Sequence, residues 1–591
     1  EELSKAILEL GILRDAGDRY ELLSPLPTLS IPDTLHNSLL ARLDRDPSTK
    51  ELAQIGAVFG REFAFSHLSA LAPVKGDALR AALAELLRAE LIHQRGGARD
   101  GTYAFKHALI QEAAYSTLVS ARRHQLHAQC AAILRELSPE LEEQQPELLA
   151  HHYTGAGDTE EAITYWLKAG RRAAEHSANV EAVAHLRHGL RLVPALADAA
   201  RRNEVELRLQ LEMGGPLIAT EGYAAPATLV AWERARALAE QCGEHRQLAR
   251  TLYGLWAARQ SLGETRTALA LADRILEIGA QIRDEGVQVV GHRVRALTMH
   301  VLGEYAAARA ELEDVLARPL DRYSGLRFEF GQDPRVAATA ILSNVLWGMG
   351  HTDLAMRTSL QNVERAAALG HANSLTYALA YGACIVAMLR GDTTETARLA
   401  GQLLQVATAY HSSLWESYGK VYQGWALARR GEAEAAVALL DEASLGFKKA
   451  GSGVYWPLLL GVSSYVLGRA GRHEEARARA EEAILEAERR EEIWTLPELL
   501  RLKARALRRL GQPETGATLL DRALGLARAH GMRSWELRVA CDLVEFGVAK
   551  DERDHAAALR EALDGFPEQA ETPDRRRALA LLDSAMPAKS G

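Results

Sequence analysis

The sequence predicts a mainly α-helical protein, in which a winged-helix-like domain precedes an α-solenoid of helical hairpins with a period of about 40 residues. Three observations predict this fold. Aromatic residues make up only 6% and charged residues 25% of the 591 residues, and Ala, Leu, Arg and Glu dominate, as in soluble helical proteins. A hairpin pattern lies between residues 91 and 106. Helix-breaking glycines then recur at intervals of 40, 47, 41, 40, 40 and 40 residues, at Gly263, Gly303, Gly350, Gly391, Gly431, Gly471 and Gly511.

Residues 1–46 are predicted to contain two helices and a short strand. The first helix stops near Gly11, Tyr20 to Leu23 has a strand pattern, and Asp33 is placed to cap the N-terminus of the second helix. The chain opens at Glu1, without a methionine and inside an amphipathic pattern. We therefore expect it to be the C-terminal portion of a longer polypeptide.

A winged-helix-like domain is predicted for residues 47–120. Its three helices are expected at Ser48 to Phe59, Phe65 to Ala72 and Gly76 to Glu90. Two strands follow, at Leu91 to Arg95 and Thr102 to Lys106, and the turn between them is rich in glycine. Three short helices followed by a two-stranded hairpin are typical of a winged helix.

The third helix of this domain is poorly suited to reading DNA. It carries Asp77, Arg80, Glu85 and Arg88 but no Asn or Gln that could pair with an adenine edge. The formal net charge of −8 also argues against a surface that displaces counterions from nucleic acid. We therefore expect a packing module and disfavour a nucleic-acid partner.

Small residues bracket each of the recurring glycines. Seven residues before them stand Ala296, Ser343, Cys384, Gly424, Ser464 and Ala504, and five residues after them stand Ala268, Ala308, Ala355, Thr396, Ala436, Ala476 and Gly516. Small residues on both sides of a tight turn let two antiparallel helices approach closely, and these offsets resemble the tetratricopeptide (TPR) pattern. Trp256 departs from it in the first of these repeats, and a 40-residue period exceeds the usual repeat length.

The repeat region is predicted to consist of four segments between residue 121 and the last residue. Residues 121–213 are assigned to linker helices and the first TPR-like repeats, with one unit around Gly157, and 214–240 to an irregular connector and a helix. The TPR-like superhelical array follows at 241–550 and a C-terminal helical cap at 551–591. Its 47-residue interval contains the insertion from Leu320 to Pro334, which is either a longer inter-helix loop or a loop for a ligand or partner.

Signatures of catalysis are missing from the sequence. It has no GxxxxGK[ST] phosphate loop, no HExxH, no GxSxG and no protein-kinase catalytic loop, so we expect no enzyme activity and no cofactor in this fragment. His124, His127 and Cys130 lie on one predicted helix, but the cysteine turns away from the two histidines, and we expect no metal site.

The remaining features favour a cytoplasmic protein without membrane contact. The four cysteines are far apart, which fits a reducing compartment. The uncharged run from Gly453 to Gly468 is shorter than the ~20 residues that a membrane-spanning helix needs. Arg575 to Arg577 is predicted to be a solvated group of charges, with a basic contact site as the alternative.

The run from Lys106 to Glu112, Lys-His-Ala-Leu-Ile-Gln-Glu, resembles the motif that closes the winged-helix domain of STAND-class signalling ATPases. In that family the histidine reaches the β-phosphate of bound ADP and holds the molecule shut. The resemblance implies this nucleotide-phosphate latch role for His107, although Lys106 and Ala108 replace the family's methionine and aspartate. A histidine that only packs or caps the helix remains the alternative.

Other segments are similar to bacterial multidomain proteins that join an adenylate/guanylate cyclase domain, a predicted STAND or AAA-type ATPase and TPR repeats. They include Ile31-Pro32-Asp33-Thr34-Leu35, Gly60-Arg61-Glu62-Phe63 and the tail Thr572-Pro573-Asp574. This resemblance implies that residues 1–46 end the helical lid of an ATPase, that ATP or ADP with Mg²⁺ binds upstream, and that ATP hydrolysis and a cyclase belong to the full-length protein. The chain would then be a non-catalytic sensor region in signal transduction.

Two main hypotheses follow. In the first, TPR repeats bind a protein partner and the winged helix couples this event to a nucleotide switch in the missing N-terminal part, with self-association on activation left open. In the second, the chain is a stand-alone scaffold that binds peptides in the repeat groove; an ATPase-type transcriptional regulator is a third, less favoured alternative. Residues predicted to face that groove are Tyr253, Asn344, Trp347, Tyr381, Trp425 and Tyr465.

Overall fold

The fold consists of two compact units, seen in a computed structural model of the chain. The structure describes residues 13–15, 20–22, 43, 47–96, 101–176, 178–449, 451, 453–547, 552–567 and 572–585. The first unit comprises residues 1–176 and 181–202, and the second comprises 177–180 and 203–591. The helices predicted before Gly11 and after Asp33 lie outside the described residues, apart from Leu43, which is helical and buried.

The first unit combines short strands with helices. Its elements are β1 (Leu13–Asp15), β2 (Tyr20–Leu22), α1 (Pro47–Phe59), β3 (Glu62–Ala64), α2 (Phe65–Leu71), α3 (Gly76–Arg88), β4 (Ile92–Arg95), β5 (Thr102–Phe105), α4 (Ala108–Ser116), α5 (Ser120–Leu137), α6 (Leu141–Gln144), α7 (Pro146–Ala156), α8 (Thr159–Glu175) and α9 (Asn179–Leu192). The strand expected near Tyr20 is present and pairs antiparallel with β1.

The predicted hairpin is observed, and it belongs to a larger sheet than the sequence indicated. β4 and β5 pair antiparallel, and β3 adds a third antiparallel strand on the other side of β5, with Phe63 opposite Tyr103. β3 is only three residues long and lies directly between two helices, so its pattern is too short to be recognised as a strand. The side chains of Phe63 and Phe105 pack this sheet against the buried faces of α1 and α3.

The second unit is an array of antiparallel helix pairs. Its helices are α10 (Ala199–Thr220), α11 (Pro226–Cys242), α12 (His245–Leu262), α13 (Thr265–Gln281), α14 (Glu285–Val301), α15 (Tyr305–Ala317), α16 (Arg327–Phe330), α17 (Pro334–Gly348), α18 (Thr352–Ala368), α19 (Ala372–Arg390), α20 (Thr393–Ala409), α21 (Ser413–Arg429), α22 (Ala433–Lys449), α23 (Trp456–Arg469), α24 (His473–Arg490), α25 (Leu496–Arg509), α26 (Pro513–Ala529), α27 (Arg533–Phe546), α28 (Glu552–Asp564) and α29 (Pro573–Ala585). The predicted TPR-like solenoid is thereby confirmed.

The recurring glycines end the first helix of each pair, as their spacing predicts. All seven adopt positive φ angles, from 77° at Gly263 to 93° at Gly350, a conformation that favours glycine at a helix C-terminus. The bracketing small residues meet across the turn: Ser464 Oγ donates to the carbonyl of Ala476, 2.7 Å away. Close approach of the two helices therefore depends on small residues at these offsets.

The stretch expected to be irregular, from Gly214 to Thr228, is mostly helical. α10 continues through Gly214 and Pro216 to Thr220, which leaves only residues 221–225 as a connector before α11. The glycine does not break the helix because it makes room for a neighbour: a Cβ at Gly214 would lie 2.2 Å from the Trp232 ring. The composition indicated a turn, but packing determined the conformation.

The array also bends until distant repeats touch. Thr265 Oγ1 donates to the backbone carbonyl of Arg490, 225 residues further along the chain, and the Arg490 guanidinium donates to the carbonyl of Ser261. Near the end of the array, Ser534 donates to the carbonyl of Trp347. The inner face is consequently covered by the array's own later helices and loops, whereas the sequence had suggested an open groove.

Helix α19 lies at the centre of this arrangement. It is long and apolar enough to span a membrane by length and composition, but 83% of its most apolar window is buried inside the structure. Its hydrophobicity is therefore that of a core helix. Leu379–Ala383 forms one π-helical turn within it, a feature that often accompanies functional sites.

Candidate functional site

The insertion between α15 and α17 forms part of the array's interior. Its segments are the 3-10 helix Leu320–Leu326 and α16, and it ends in the buried residues Gln332 and Asp333. Asp333 accepts hydrogen bonds from Ser324 Oγ and from the first turn of α17, while its own backbone N–H donates to Ser374 Oγ in α19. The insertion is thus a fixed inner support that joins three elements.

The same insertion orients Tyr253 of α12. The Tyr253 hydroxyl donates to Gln332 Oε1 at 2.7 Å, and the Phe330 ring packs edge-on against the tyrosine ring at 5.3 Å. Because the hydroxyl proton is committed to Gln332, the oxygen lone pairs of Tyr253 remain available to a cation. The cation that lies there is Arg293.

Arg293 projects from the middle of α14 into the interior and is only 2% exposed. Its guanidinium carbon lies 5.4 Å from the centre of the Tyr253 ring. Burial lowers the pKa of Arg293, but the phenols of Tyr253 and Tyr377 more than offset this, so the net direction is upward and the group stays charged. No carboxylate oxygen of the described residues lies within 4 Å of it, since Arg293 takes part in none of their ion pairs.

A tract of aromatic rings runs from Arg293 along the interior. Tyr377 lies edge-on to Tyr381 at 4.8 Å, and Tyr381 in turn contacts Trp415, Tyr418 and Tyr455 at 5.1–5.6 Å. Tyr381 donates to Tyr418 Oη at 3.0 Å, which donates to the carbonyl of Val454 at 2.6 Å. These rings provide a surface that is apolar in area and polar at a few defined atoms.

The π-helical turn exposes carbonyls that neighbouring helices satisfy. Asn344 Nδ2 donates to the carbonyl of Tyr381 at 2.7 Å, and the Tyr422 hydroxyl donates to that of Ala380 at 2.7 Å. Both donors come from flanking first helices, α17 and α21. The turn is therefore fixed from both sides, and it places Tyr377 and Tyr381 in the interior together.

Loop residues close the far end of the tract. Tyr455 adopts φ of 63°, a conformation that costs energy for a bulky side chain, and its ring packs on Trp494 at 4.7 Å. Burial lowers the pKa of His300 beside Trp494 to about 3, so this imidazole is neutral. Burial also raises the pKa of Glu492 to about 7, with Arg490 opposing the rise.

Several polar atoms in this interior lack a hydrogen bond of good geometry to any of the described residues. Buried polar groups are ordinarily paired, so such a concentration needs an explanation. The atoms are Asn344 Oδ1 and Tyr455 Oη, whose side chains interact with each other, Glu492 Oε2 and Trp494 Nε1, whose side chains do the same, Tyr377 Oη, which interacts with Arg293, and both ring nitrogens of His300.

The six residues expected to face a groove fall into three places. Tyr253, Asn344 and Tyr381 lie in the interior just described, and Asn344 and Tyr381 contact each other. Trp347 packs at 4.6 Å against Trp535 where the array closes. Trp425 and Tyr465 stack as a separate pair, with ring centres 6.3 Å apart. Of the six, only Tyr253 and Tyr465 are half-buried, and the other four are buried.

Arg293 was not predicted from the sequence, although a signal for it exists. Tyr253 and Tyr381 each stand ten residues before the glycine that ends their helix, and Arg293 stands ten residues before Gly303. A charged residue at an inward position that carries tyrosine in two other repeats is unusual. Tyr377, Tyr455 and Trp494 had no such repeat offset that could reveal them.

In the first unit, His107 is exposed at the start of α4. It occupies the N-cap position with extended backbone angles, but its side chain makes no capping hydrogen bond. The imidazole of His107 thus neither caps the helix nor packs in the core of this unit, and its role as a phosphate latch stays a prediction.

The histidines of α5 behave differently. His127 is buried, accepts or donates a hydrogen bond at 2.9 Å with the Tyr115 hydroxyl, and lies 3.1 Å from His152 Nδ1. Burial lowers the pKa of His127 to about 4 and raises that of the buried Cys130 thiol. Among the described residues, no group of three or more His, Cys, Asp and Glu is placed to hold a metal ion.

Comparisons with known proteins found one curated relative and several solved structures. No protein-family model matches it. An uncharacterized protein of Rhizobium meliloti (strain 1021) is 25% identical over 524 residues, covering 86% of this chain and 50% of that protein. The chain therefore spans about half the length of this curated relative.

Two of the solved structures that match this chain are the following. A Rap protein complexed with Competence and Sporulation Factor covers 63% of this chain and 99% of its own, with a TM-score of 0.44 and 13% identity. A STAND protein with a TPR sensor from Pyrococcus horikoshii covers 86% of this chain and 66% of its own, with a TM-score of 0.36 and 12% identity. At these identities the likeness concerns the fold alone.

Proposed function

We propose that this chain is the non-catalytic sensor region of a larger signalling ATPase, of the cyclase-linked kind that its sequence resembles. The TPR-like array would receive a protein or peptide, and the first unit would relay that event to a nucleotide switch in a neighbouring domain. The observation that carries this proposal is the array's interior, where a buried cation and polar atoms without well-formed hydrogen bonds lie along an aromatic tract. A purely structural core would not be expected to leave them unmatched.

The first unit supports the relay. Its helices α1 to α3 and the sheet β3-β5-β4 have the element order of a winged helix, and the run that contains His107 follows β5 directly. The exposed imidazole of His107 is free to meet a group outside this unit. In the proposal, ATP or ADP with Mg²⁺ would be held by the upstream domain, and His107 would contribute one contact to its phosphates.

The relay is tested by substituting His107 in the full-length protein. His107→Ala should increase the rate at which bound ADP is released, because a contact with the β-phosphate is lost. His93→Ala, a substitution on the neighbouring β4, serves as the matched control and should leave that rate unchanged. Nucleotide retention is measured by fluorescence of a labelled ADP, and equal release rates for the two variants would contradict the latch.

A stand-alone peptide-binding scaffold is the second candidate function. It is favoured by the location of the aromatic tract and Arg293, which all lie in the second unit. The two candidates differ in what partner binding changes. A sensor should alter nucleotide exchange when its partner is bound, whereas a scaffold should bind the same partner without any effect on the upstream domain.

A further inference from the structure

We propose that the array's interior at Arg293 is a binding site for a ligand that carries a carboxylate beside an apolar body. The inference deepens the proposed function and rests on it in one respect, namely that the signal enters through the interior of the array. It names the chemical class of the ligand and the residue that recognises the ligand's charge.

The first step is the charge of Arg293. A guanidinium does not lose its proton in a protein, so this side chain is a permanent cation that is 2% exposed. Burying a charge without a partner is costly. Tyr253 and Tyr377 offer only phenol oxygens and a ring face, which compensate part of that cost. An anion at this place would complete the compensation.

The second step is the kind of anion. Another buried arginine of the array, Arg490, is already engaged by the Glu492 carboxyl and by the carbonyls of Ser261 and Gly453. Arg293 therefore offers a single positive charge, which a carboxylate balances and a phosphate dianion would exceed. The planar guanidinium also matches a carboxylate with two parallel hydrogen bonds.

The third step is the apolar part of the ligand. The Tyr377 hydroxyl oxygen interacts with Arg293, and its proton has no acceptor among the described residues, so the hydroxyl can donate to the same carboxylate. Beyond Tyr377 the surface consists of the rings of Tyr381 and Trp415. An acid group attached to an aromatic or aliphatic body would meet charge at one end and rings at the other.

The fourth step is access. Burial raises the pKa of Tyr223 in the connector 221–225, with smaller contributions from Tyr253 and Tyr377, and Arg293 acts in the opposite direction. Tyr223 is therefore close enough to Arg293 to feel its charge, and its side chain is only half-buried. Thr228 Oγ1 donates a hydrogen bond to the carbonyl of Gly222 and ties this connector to the start of α11. In this proposal a ligand reaches Arg293 by displacing Tyr223.

The test uses the whole 591-residue chain and two probes of the same shape, 3-phenylpropionate and the uncharged 3-phenylpropionamide, in buffer low in chloride. A ligand that binds only the folded state raises the thermal midpoint, and calorimetry gives its affinity. The acid should raise the midpoint of the wild type and the amide should not. An acetylated tripeptide that ends in phenylalanine, with a free or an amidated C-terminus, distinguishes a peptide terminus from a small organic acid as the source.

Variants separate recognition from stability. Arg293→Met should abolish the response to the acid, and its own midpoint should equal or exceed that of the wild type, because an uncompensated charge is removed. Arg293→Lys should keep binding at reduced affinity, and Tyr377→Phe should weaken it about 10-fold, the equivalent of one hydrogen bond. Arg274→Met, an exposed arginine paired with Glu277, is the control and should behave as wild type.

Two results would overturn the inference. One is equal stabilisation by the acid and the amide, and the other is a marked fall in the midpoint of Arg293→Met, which would mean that the charge is needed by the fold itself. If the acids fail to bind while the full-length protein still responds to a partner through the array, the carboxylate site is wrong and the proposed function stands. If the acids bind but nucleotide exchange never responds, the site stands and the sensor role is wrong.

Discussion

Two arginines occupy the same position in different repeats of the array and have opposite surroundings. Arg293 and Arg501 each stand ten residues before the glycine that ends their helix, and both are buried. Arg501 donates two hydrogen bonds of 2.7 Å to Glu498 and one of 3.0 Å to Asp542. Arg293 faces two phenols and no carboxylate among the described residues.

The comparison shows that the fold can neutralise a cation at this position. Burial alone would raise the pKa of Asp542, but Arg501, Arg505 and Arg577 lower it overall, so it stays ionised. Arg577 is thus part of a buried ion-pair network, not of the solvated charge group that its sequence context indicated. Among the described residues, carboxylates lie beside Arg501 but not beside Arg293, so Arg501 serves the structure, whereas Arg293 is proposed to serve a ligand.

Of the substitutions that compare the two arginines, Arg501→Met should cause the largest loss of stability. Arg501→Met leaves the carboxylates of Glu498 and Asp542 buried and poorly compensated, and we expect the free energy of unfolding to fall by about 3–5 kcal/mol. Chemical denaturation of the whole chain measures this loss. The exposed Arg274→Met should change stability by no more than about 0.5 kcal/mol. Equal losses for Arg501→Met and Arg293→Met would contradict the distinction between the two arginines.

A carboxylate transplanted next to Arg293 should make it resemble Arg501. Glu498 stands three residues before Arg501, and the corresponding residue before Arg293 is the buried Val290. Side chains three apart on a helix are neighbours, so the carboxylate introduced by Val290→Glu can pair with Arg293. In the Arg293→Met background the same carboxylate would be buried without a cation, so Val290→Glu should lower the free energy of unfolding more than it does in the wild type.

A double-mutant cycle measures this difference. We expect a favourable coupling energy of about 0.5–3 kcal/mol between the introduced carboxylate and the guanidinium of Arg293. Val290→Glu should also abolish the response to 3-phenylpropionate, because the guanidinium is then occupied. If Val290→Glu lowers the free energy of unfolding equally in both backgrounds, the guanidinium of Arg293 does not pair with the introduced carboxylate.

The smallest effect is expected from two tyrosine hydroxyls in the interior. Tyr418→Phe removes a hydroxyl that donates to the carbonyl of Val454 and accepts from Tyr381, and should cost about 1 kcal/mol. Tyr377→Phe removes a hydroxyl whose oxygen interacts with Arg293 but whose proton has no acceptor among the described residues, and it should cost less than Tyr418→Phe. Thermal midpoints of the two variants, compared in the absence of any added acid, check this order.

The sequence predicted what is local and periodic. Turn glycines require positive φ, and small residues at fixed offsets permit close helix packing, so the repeats could be derived from spacing alone. The hairpin of β4 and β5 was predicted for a similar reason, because its strand pattern and its glycine-rich turn are also local in sequence. The helical conformation at Gly214 could not be predicted, because the glycine there makes room for the ring of Trp232, which belongs to another helix.

The candidate site was predicted only in part. Tyr253 and Tyr381 were selected by their offsets, but their burial follows from contacts between residues as far apart as Thr265 and Arg490, which no repeat pattern encodes. The isolation of Arg293 is likewise a property of its neighbours in space, since one-dimensional spacing cannot show that no carboxylate of the described chain approaches. Loop residues such as Trp494 fill the interior from outside the periodic positions.

The closure of the array on itself changes how such a protein should fold. In an open solenoid each repeat contacts only its neighbours, and unfolding can begin at an end and proceed stepwise. Here bonds such as those of Arg490 to Ser261 and Ser534 to Trp347 join repeats about 190–230 residues apart. These long-range contacts raise the contact order, so the array is expected to form more slowly than an open solenoid and to unfold cooperatively as a closed body.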